Sequence, residues 1–138
     1  MNSSFENQFL DLLLHIKRTG SNLTSLEEVN LTPALFTYLN TIQQFPISTL
    51  NEVSQHLGVT PASVSKAINR LEKDNLIKRE HNPHDHRSSV FTLTAHGDEI
   101  YELVQSFRRK KAKMLLDRLS EKEQRTFLFL FSKLLDFK

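Results

Sequence analysis

The chain has 138 residues, 38% hydrophobic, 25% charged and 9% aromatic, the composition of one globular domain with a sizeable core rather than a disordered or low-complexity segment. It contains no cysteine, which excludes a disulfide framework, a thiolate zinc site, an iron–sulfur cluster and thiol chemistry together. The net charge is only +2, but residues 60–118 hold twelve basic and eight acidic groups against two and five in residues 1–59, so the positive field that could attract a polyanion sits in the middle of the chain.

Three glycines and four prolines are too few for a β-rich chain with many turns, and helices should dominate. Phe5, Phe9, Leu12, Leu13 and Ile16 recur at helical spacing and predict a first helix, with Thr19-Gly20-Ser21-Asn22 as its stop. Thr32-Pro33 then offers an N-cap hydroxyl followed by proline at the first helical position. Leu35, Tyr38, Leu39 and Ile42 carry the apolar stripe of a second helix towards Phe45-Pro46. Ile47-Ser48-Thr49 is short and β-leaning, and Thr49 can cap a third helix with Leu50, Val53 and Leu57 inward. Gly58 closes that helix through the left-handed conformation, Val59 is expected to drop into the core, and Thr60-Pro61 repeats the start signal. In the fourth helix Val64, Ala67, Ile68 and Leu71 form the buried stripe, while Ala62, Ser65, Lys66, Asn69 and Lys73 face the other way; Asn75, tolerant of positive φ, ends it.

Leu76 to Glu80 and Ser88 to Leu93 are β-rich runs separated by His81-Asn82-Pro83-His84-Asp85-His86-Arg87, a polar connection that predicts a hairpin. Thr94 caps a long fifth helix with Ile100, Tyr101, Val104, Phe107, Met114 and Leu115 at helical spacing, and Ser120 with Glu123 forms a capping box for the last helix. The expected fold is mainly α with a small β-hairpin wing, a winged helix-turn-helix carried between terminal helices. A helix fits the major groove of duplex DNA, and the outward face of the fourth helix is built from small and hydrogen-bonding side chains that let its backbone approach base edges.

Two stretches carry a family resemblance. Pro83-His84-Asp85-His86-Arg87-Ser88-Ser89-Val90-Phe91-Thr92-Leu93-Thr94-Ala95-His96-Gly97 resembles the wing pattern of the MarR family of bacterial transcription regulators, Asp-x-Arg followed by a strand, Leu-Thr and a glycine. Val64 to Arg79 is similar to that family's recognition helix running into the first wing strand, with Asn75 where the family usually has glycine. The resemblance covers almost the whole chain as a single domain, about 32–97 being the winged part and about 1–20 and 98–138 dimerisation helices. It implies a homodimer on a pseudo-palindromic operator. Ala62, Ser63, Ser65, Lys66, Asn69 and Arg70 would face the major groove and Arg87 would enter the minor groove. Asp85 would hold the Arg87 guanidinium by a charge-assisted pair, or cap its own turn. Arg79 suits a structural ion pair or a phosphate contact, and Thr49 and Thr60 offer hydroxyls and helix N-termini to phosphates.

The tail supports the dimer independently. Phe127, Leu128, Phe131, Leu134 and Leu135 make one stripe, yet Phe129, Leu130 and Phe137 are apolar as well, so more than one face needs a cover. Many members of the family bind a small aromatic or anionic effector beside the dimerisation helices. His15, Phe36, Tyr38 and Tyr101 are the candidates by their helices, although core packing explains each aromatic equally. The absent cysteine excludes the family's thiol-based peroxide sensing. His81, His84 and His86 lie within six residues, but no second cluster has metal-ligand spacing, so neither metal nor cofactor is expected; His15, His56 and His96 are isolated. The run Arg108-Arg109-Lys110-Lys111-Lys113 reads as a solvated helix face.

No glycine-rich phosphate loop, nucleophile elbow or paired carboxylates mark an enzyme. No apolar run approaches the about 18 residues of a membrane span, and the N-terminus lacks the basic start of a secretory signal, so a cytoplasmic, membrane-free protein is expected. The resulting expectation is a homodimeric, sequence-specific DNA-binding regulator, a repressor of nearby genes released by a small molecule. The alternative is a dimeric winged-helix module that binds a protein partner and has no specific DNA site.

Overall fold

The threonine caps and apolar stripes organise residues 4–24, 29–45 and 49–135, the parts described by the computed structural model, into six helices and one hairpin. In chain order these are α1 (Phe5–Thr24), α2 (Pro33–Gln44), α3 (Leu50–Leu57), α4 (Pro61–Lys73), β1 (Ile77–Asn82), β2 (Asp85–Leu93), α5 (Ala95–Leu116) and α6 (Glu121–Leu135). Four starts use a threonine cap. The hydroxyls of Thr32, Thr49, Thr60 and Thr94 accept the backbone N–H three residues on at 3.1, 3.2, 3.2 and 2.9 Å. Each satisfies a donor that has no partner inside the helix and contributes about 1 kcal/mol. Proline follows the cap in α2 and α4, where its fixed φ is already helical and its missing N–H costs nothing. At α6 the capping box closes in both directions, with the Ser120 hydroxyl accepting from Glu123 N–H at 3.2 Å and Glu123 Oε1 from Ser120 N–H at 2.8 Å.

One core ties α2, α3, α4, the hairpin and the first half of α5 together. Leu39, Val53, Val64, Ile68, Leu71 and Val104 are fully buried at its centre, with Phe36, Phe91 and Tyr101 around them. Burying each large aliphatic side chain contributes about 1.5–3 kcal/mol, so this unit carries most of the packing energy. The terminal helices are different. Phe5, Leu10, Leu12, Leu14 and Ile16 on α1 and Leu128, Phe129, Leu130 and Leu135 on α6 are exposed, and α6 buries no residue at all. Among the described residues no helix is long and apolar enough to cross a membrane.

Three sequence expectations need correction. α1 does not stop at Thr19-Gly20-Ser21-Asn22 but continues to Thr24; one glycine costs a helix only about 1 kcal/mol against alanine, too little to end it. Val59 does not enter the core and is 37% exposed. Its N–H donates to the Ser54 carbonyl at 3.2 Å and its own carbonyl accepts the Ser54 hydroxyl at 2.6 Å, so both backbone groups are used inside the turn and the side chain is turned outward. The hairpin connection is also shorter than seven residues. Pairing runs from Ile77↔Leu93 to His81↔Ser89, and after a register shift at His81/Asn82 it closes at Asn82↔Asp85. Backbone ladder bonds are indifferent to side-chain polarity, so the polar His81, Asp85, His86 and Arg87 extend the strands. Pro46, Ile47, Ser48 and Phe137, each of which has an expected role, lie outside the described residues.

Candidate nucleic-acid interface

The turn between α3 and α4 depends on Gly58, whose φ of 64° is the left-handed conformation that a side chain disfavours. It brings α4 out at an angle to α3 with its Val64-Ala67-Ile68-Leu71 face on the core. The opposite face is left to solvent: Ala62, Ser63, Lys66, Asn69 and Arg70 are exposed and Ser65 is half-buried, as the sequence indicated. Thr60 uses its hydroxyl within the turn, accepting from Ser63 N–H and donating to Ser63 Oγ at 3.0 Å. Arg70 is paired with Asp74 at 3.0 Å along the helix. Lys66 and Asn69 are therefore the long polar groups presented at the middle of this face.

The wing attaches to α4 through Arg79. Its guanidinium donates to the Glu72 carboxylate at 2.8 Å and lies over the Phe91 ring at 5.2 Å, fulfilling the structural part expected of it. At the tip the buried Asn82 amide donates to Ser88 Oγ at 2.9 Å, and its Oδ1 accepts the His84 N–H at 2.9 Å. This is an Asx-type turn, and Arg87 beyond it is exposed. Of the two parts weighed for Asp85, the structure shows the cap. Asp85 Oδ1 accepts the Arg87 backbone N–H at 3.0 Å, and among the described residues the Arg87 guanidinium has no ion pair.

A bridge between Thr49 and Val90 places the α3 N-terminus against β2. The cleft between them, about 360 Å³, is lined by Thr49, Asn51, Arg79, Asp85, Arg87 and Ser89 among others. Four residues singled out separately in the sequence thus meet in one place. Asn51 and Ser89 were not anticipated, because nothing local in the sequence signals which residues a tertiary bridge will make neighbours. Of the two guanidinium groups in the cleft, that of Arg79 is paired with Glu72, and that of Arg87 has no ion pair among the described residues.

The candidates for an effector pocket divide. Phe36 and Tyr101 stack at 5.7 Å with their rings 7° apart inside the core, the Tyr101 hydroxyl donates to Asn40 Oδ1 at 2.7 Å, and the Arg108 guanidinium covers Phe36 at 4.6 Å. His15 is exposed on α1 and Tyr38 is half-buried on α2. Among the described residues no three His, Asp or Glu side chains are grouped to hold a metal.

Two helices meeting at a left-handed glycine, the second running into an antiparallel hairpin, define a winged helix-turn-helix protein. Residues 29–88 match the model of the MarR family. Over 101 residues it is 33% identical to the HTH-type transcriptional repressor MdtR of Bacillus subtilis, a stretch covering 73% of this chain and 65% of MdtR, so under two thirds of that relative's length is matched. It resembles the crystal structure of a mutant MarR from E. coli complexed with operator DNA, with a TM-score of 0.75 and 25% identity over 96% of this chain and 99% of that one. A similar likeness holds to Streptococcus pneumoniae FabT in complex with DNA, at a TM-score of 0.74 and 25% identity over 96% of each chain.

Proposed function

We propose that the protein is a homodimeric, sequence-specific DNA-binding transcription regulator that represses nearby genes from a pseudo-palindromic operator with half-sites about one helical turn apart. The observation that carries this reading is the exposure of Ala62, Ser63, Lys66 and Asn69 on the outer face of α4 and of Arg87 on the wing. Small side chains admit the helix to a groove, amide and ammonium groups match base edges, and a guanidinium at the tip suits phosphate or the minor groove. The repressor name of MdtR and the DNA complexes of MarR and FabT support it. The exposed apolar faces of α1 and α6 support the dimer, since an isolated protomer would leave them in water. Release by a small molecule completes the proposal, with His15 and Tyr38 as the accessible candidate contacts.

The test is a mobility-shift titration against the promoter regions of its own and neighbouring genes at physiological salt. Preference for one fragment by about a thousandfold or more over bulk DNA is expected. Equal affinity for every fragment refutes the reading and favours a winged-helix module that binds a protein partner instead.

A further inference from the structure

One hydroxyl couples the end of α4 to the start of α5. After Lys73 the chain reverses through Asn75, whose φ of 59° is left-handed, and the Leu76 N–H returns to the Leu71 carbonyl at 2.9 Å. The two carbonyls that leave this turn both point at Thr94. The Asn75 carbonyl accepts the Thr94 hydroxyl at 2.6 Å and the Leu76 carbonyl accepts the Thr94 N–H at 3.1 Å. The same hydroxyl accepts the Gly97 N–H at 2.9 Å, so it acts as donor to the α4 turn and as acceptor for the α5 turn at once. Gly97 lets the two backbones touch: a Cβ there would lie 1.9 Å from the Leu76 carbonyl oxygen. An N-cap alone needs only an acceptor, and the donor half of Thr94 spans 19 residues of sequence to the turn that follows α4.

We propose that Thr94 is a positioning residue for DNA recognition: its hydroxyl sets the angle between α4 and α5 and thereby the separation of the two α4 helices in the dimer. The proposal rests on the homodimeric DNA-binding reading above. Rigid coupling matters because two α4 helices can occupy successive turns of a duplex only if their spacing matches the half-site spacing.

Three substitutions separate this role from capping. Thr94→Ser keeps both halves of the hydroxyl, Thr94→Asp keeps the acceptor and loses the donor, and Thr94→Val loses both. The chain has no cysteine, so Lys73→Cys and Ser106→Cys in the full-length protein give one spin label on each side of the joint. With labelled chains diluted into unlabelled ones, pulsed electron resonance should give a narrow distance distribution for the otherwise unchanged chain and for Thr94→Ser. It should broaden for Thr94→Asp even though the cap is retained. On duplexes whose half-sites are moved one base pair closer or farther apart, the parent should discriminate sharply. Thr94→Asp should lose that discrimination and bind the preferred operator about tenfold more weakly, with random DNA unaffected. A narrow distribution and an intact spacing preference in Thr94→Asp overturn the proposal. A parent chain that prefers no duplex refutes the DNA-binding reading instead, and the label distances then decide the joint by themselves.

Discussion

Arg79 donates to the Glu72 carboxylate at 2.8 Å, so the root of the wing is tied to the last turn of α4 by a pair that leaves both side chains partly in solvent. Such pairs contribute little to stability because water screens them and two long side chains must be ordered. Arg79→Ala should therefore cost no more than about 1 kcal/mol, part of it from the lost stacking on Phe91. Urea unfolding of the variant checks this, and a much larger loss would mean that the wing and α4 depend on the pair to fold.

Base reading and phosphate holding should separate by residue. Lys66→Ala or Asn69→Ala, central on the exposed face of α4, should lose about 1–3 kcal/mol on the operator and little on random DNA. Arg87→Ala should weaken both and reduce the salt slope by about one counterion if its partner is phosphate. A loss larger on the operator would assign it to a narrow minor groove. Dissociation constants on operator and random duplexes across a salt series decide between these outcomes.

Phe131 stacks on Phe127 at 5.6 Å on a helix that buries nothing within its own chain. Replacing Phe131 and Leu134 by polar residues should yield monomers or aggregates and abolish operator binding. Light scattering of the parent protein at micromolar concentration supplies the control; a stable parent monomer would contradict the dimer.

The capping box has a pH signature. The Ser120 backbone N–H, and secondarily its hydroxyl, hold the Glu123 carboxyl below the usual carboxylate range. A depressed folded-state value means stability that is present at neutral pH and is lost as pH falls through that value. The α1 start adds a second group of this kind, Glu6, lowered by its own backbone N–H and then by Ser4. Replacing Glu123 by Gln should flatten the acid limb of the stability profile without altering the neutral side's shape. Urea midpoints across that pH range measure it.

The turn after α4 should prefer glycine and reject a Cβ elsewhere. Asn75→Ala, at φ 59°, should cost about 1 kcal/mol, whereas Asn75→Gly should not destabilise. Gly97→Ala should cost about 3 kcal/mol or more, since its Cβ would meet backbone that cannot step aside. Thermal melts of the three variants rank them.

What could be read from the sequence was what local chemistry determines. The caps at Thr32, Thr49, Thr60, Thr94 and Ser120, the positive φ of Gly58 and Asn75, and the buried stripe of α4 each depend on residues within a turn of one another. The errors fall where a weak local preference met a stronger neighbour. Gly20 did not outweigh the continuing α1 ladder, and hydrogen bonding at Ser54 decided the side on which Val59 lies. The cleft between Thr49 and Arg87 required the bridge to Val90, a contact across 41 positions that no short-range pattern announces.

Asp85 spends its carboxylate on the Arg87 backbone N–H, which fixes the wing tip's backbone at Arg87 and leaves the guanidinium unclamped by that carboxylate. The Arg87 guanidinium is exposed and has no ion pair among the described residues, so any partner that orders it must offset about 1.5–2 kcal/mol of side-chain entropy. A negative surface of varied geometry can satisfy a mobile arm where a clamped one would demand a single fit. On the proposed reading, the wing would give adjustable attachment and the outer face of α4 would carry the discrimination.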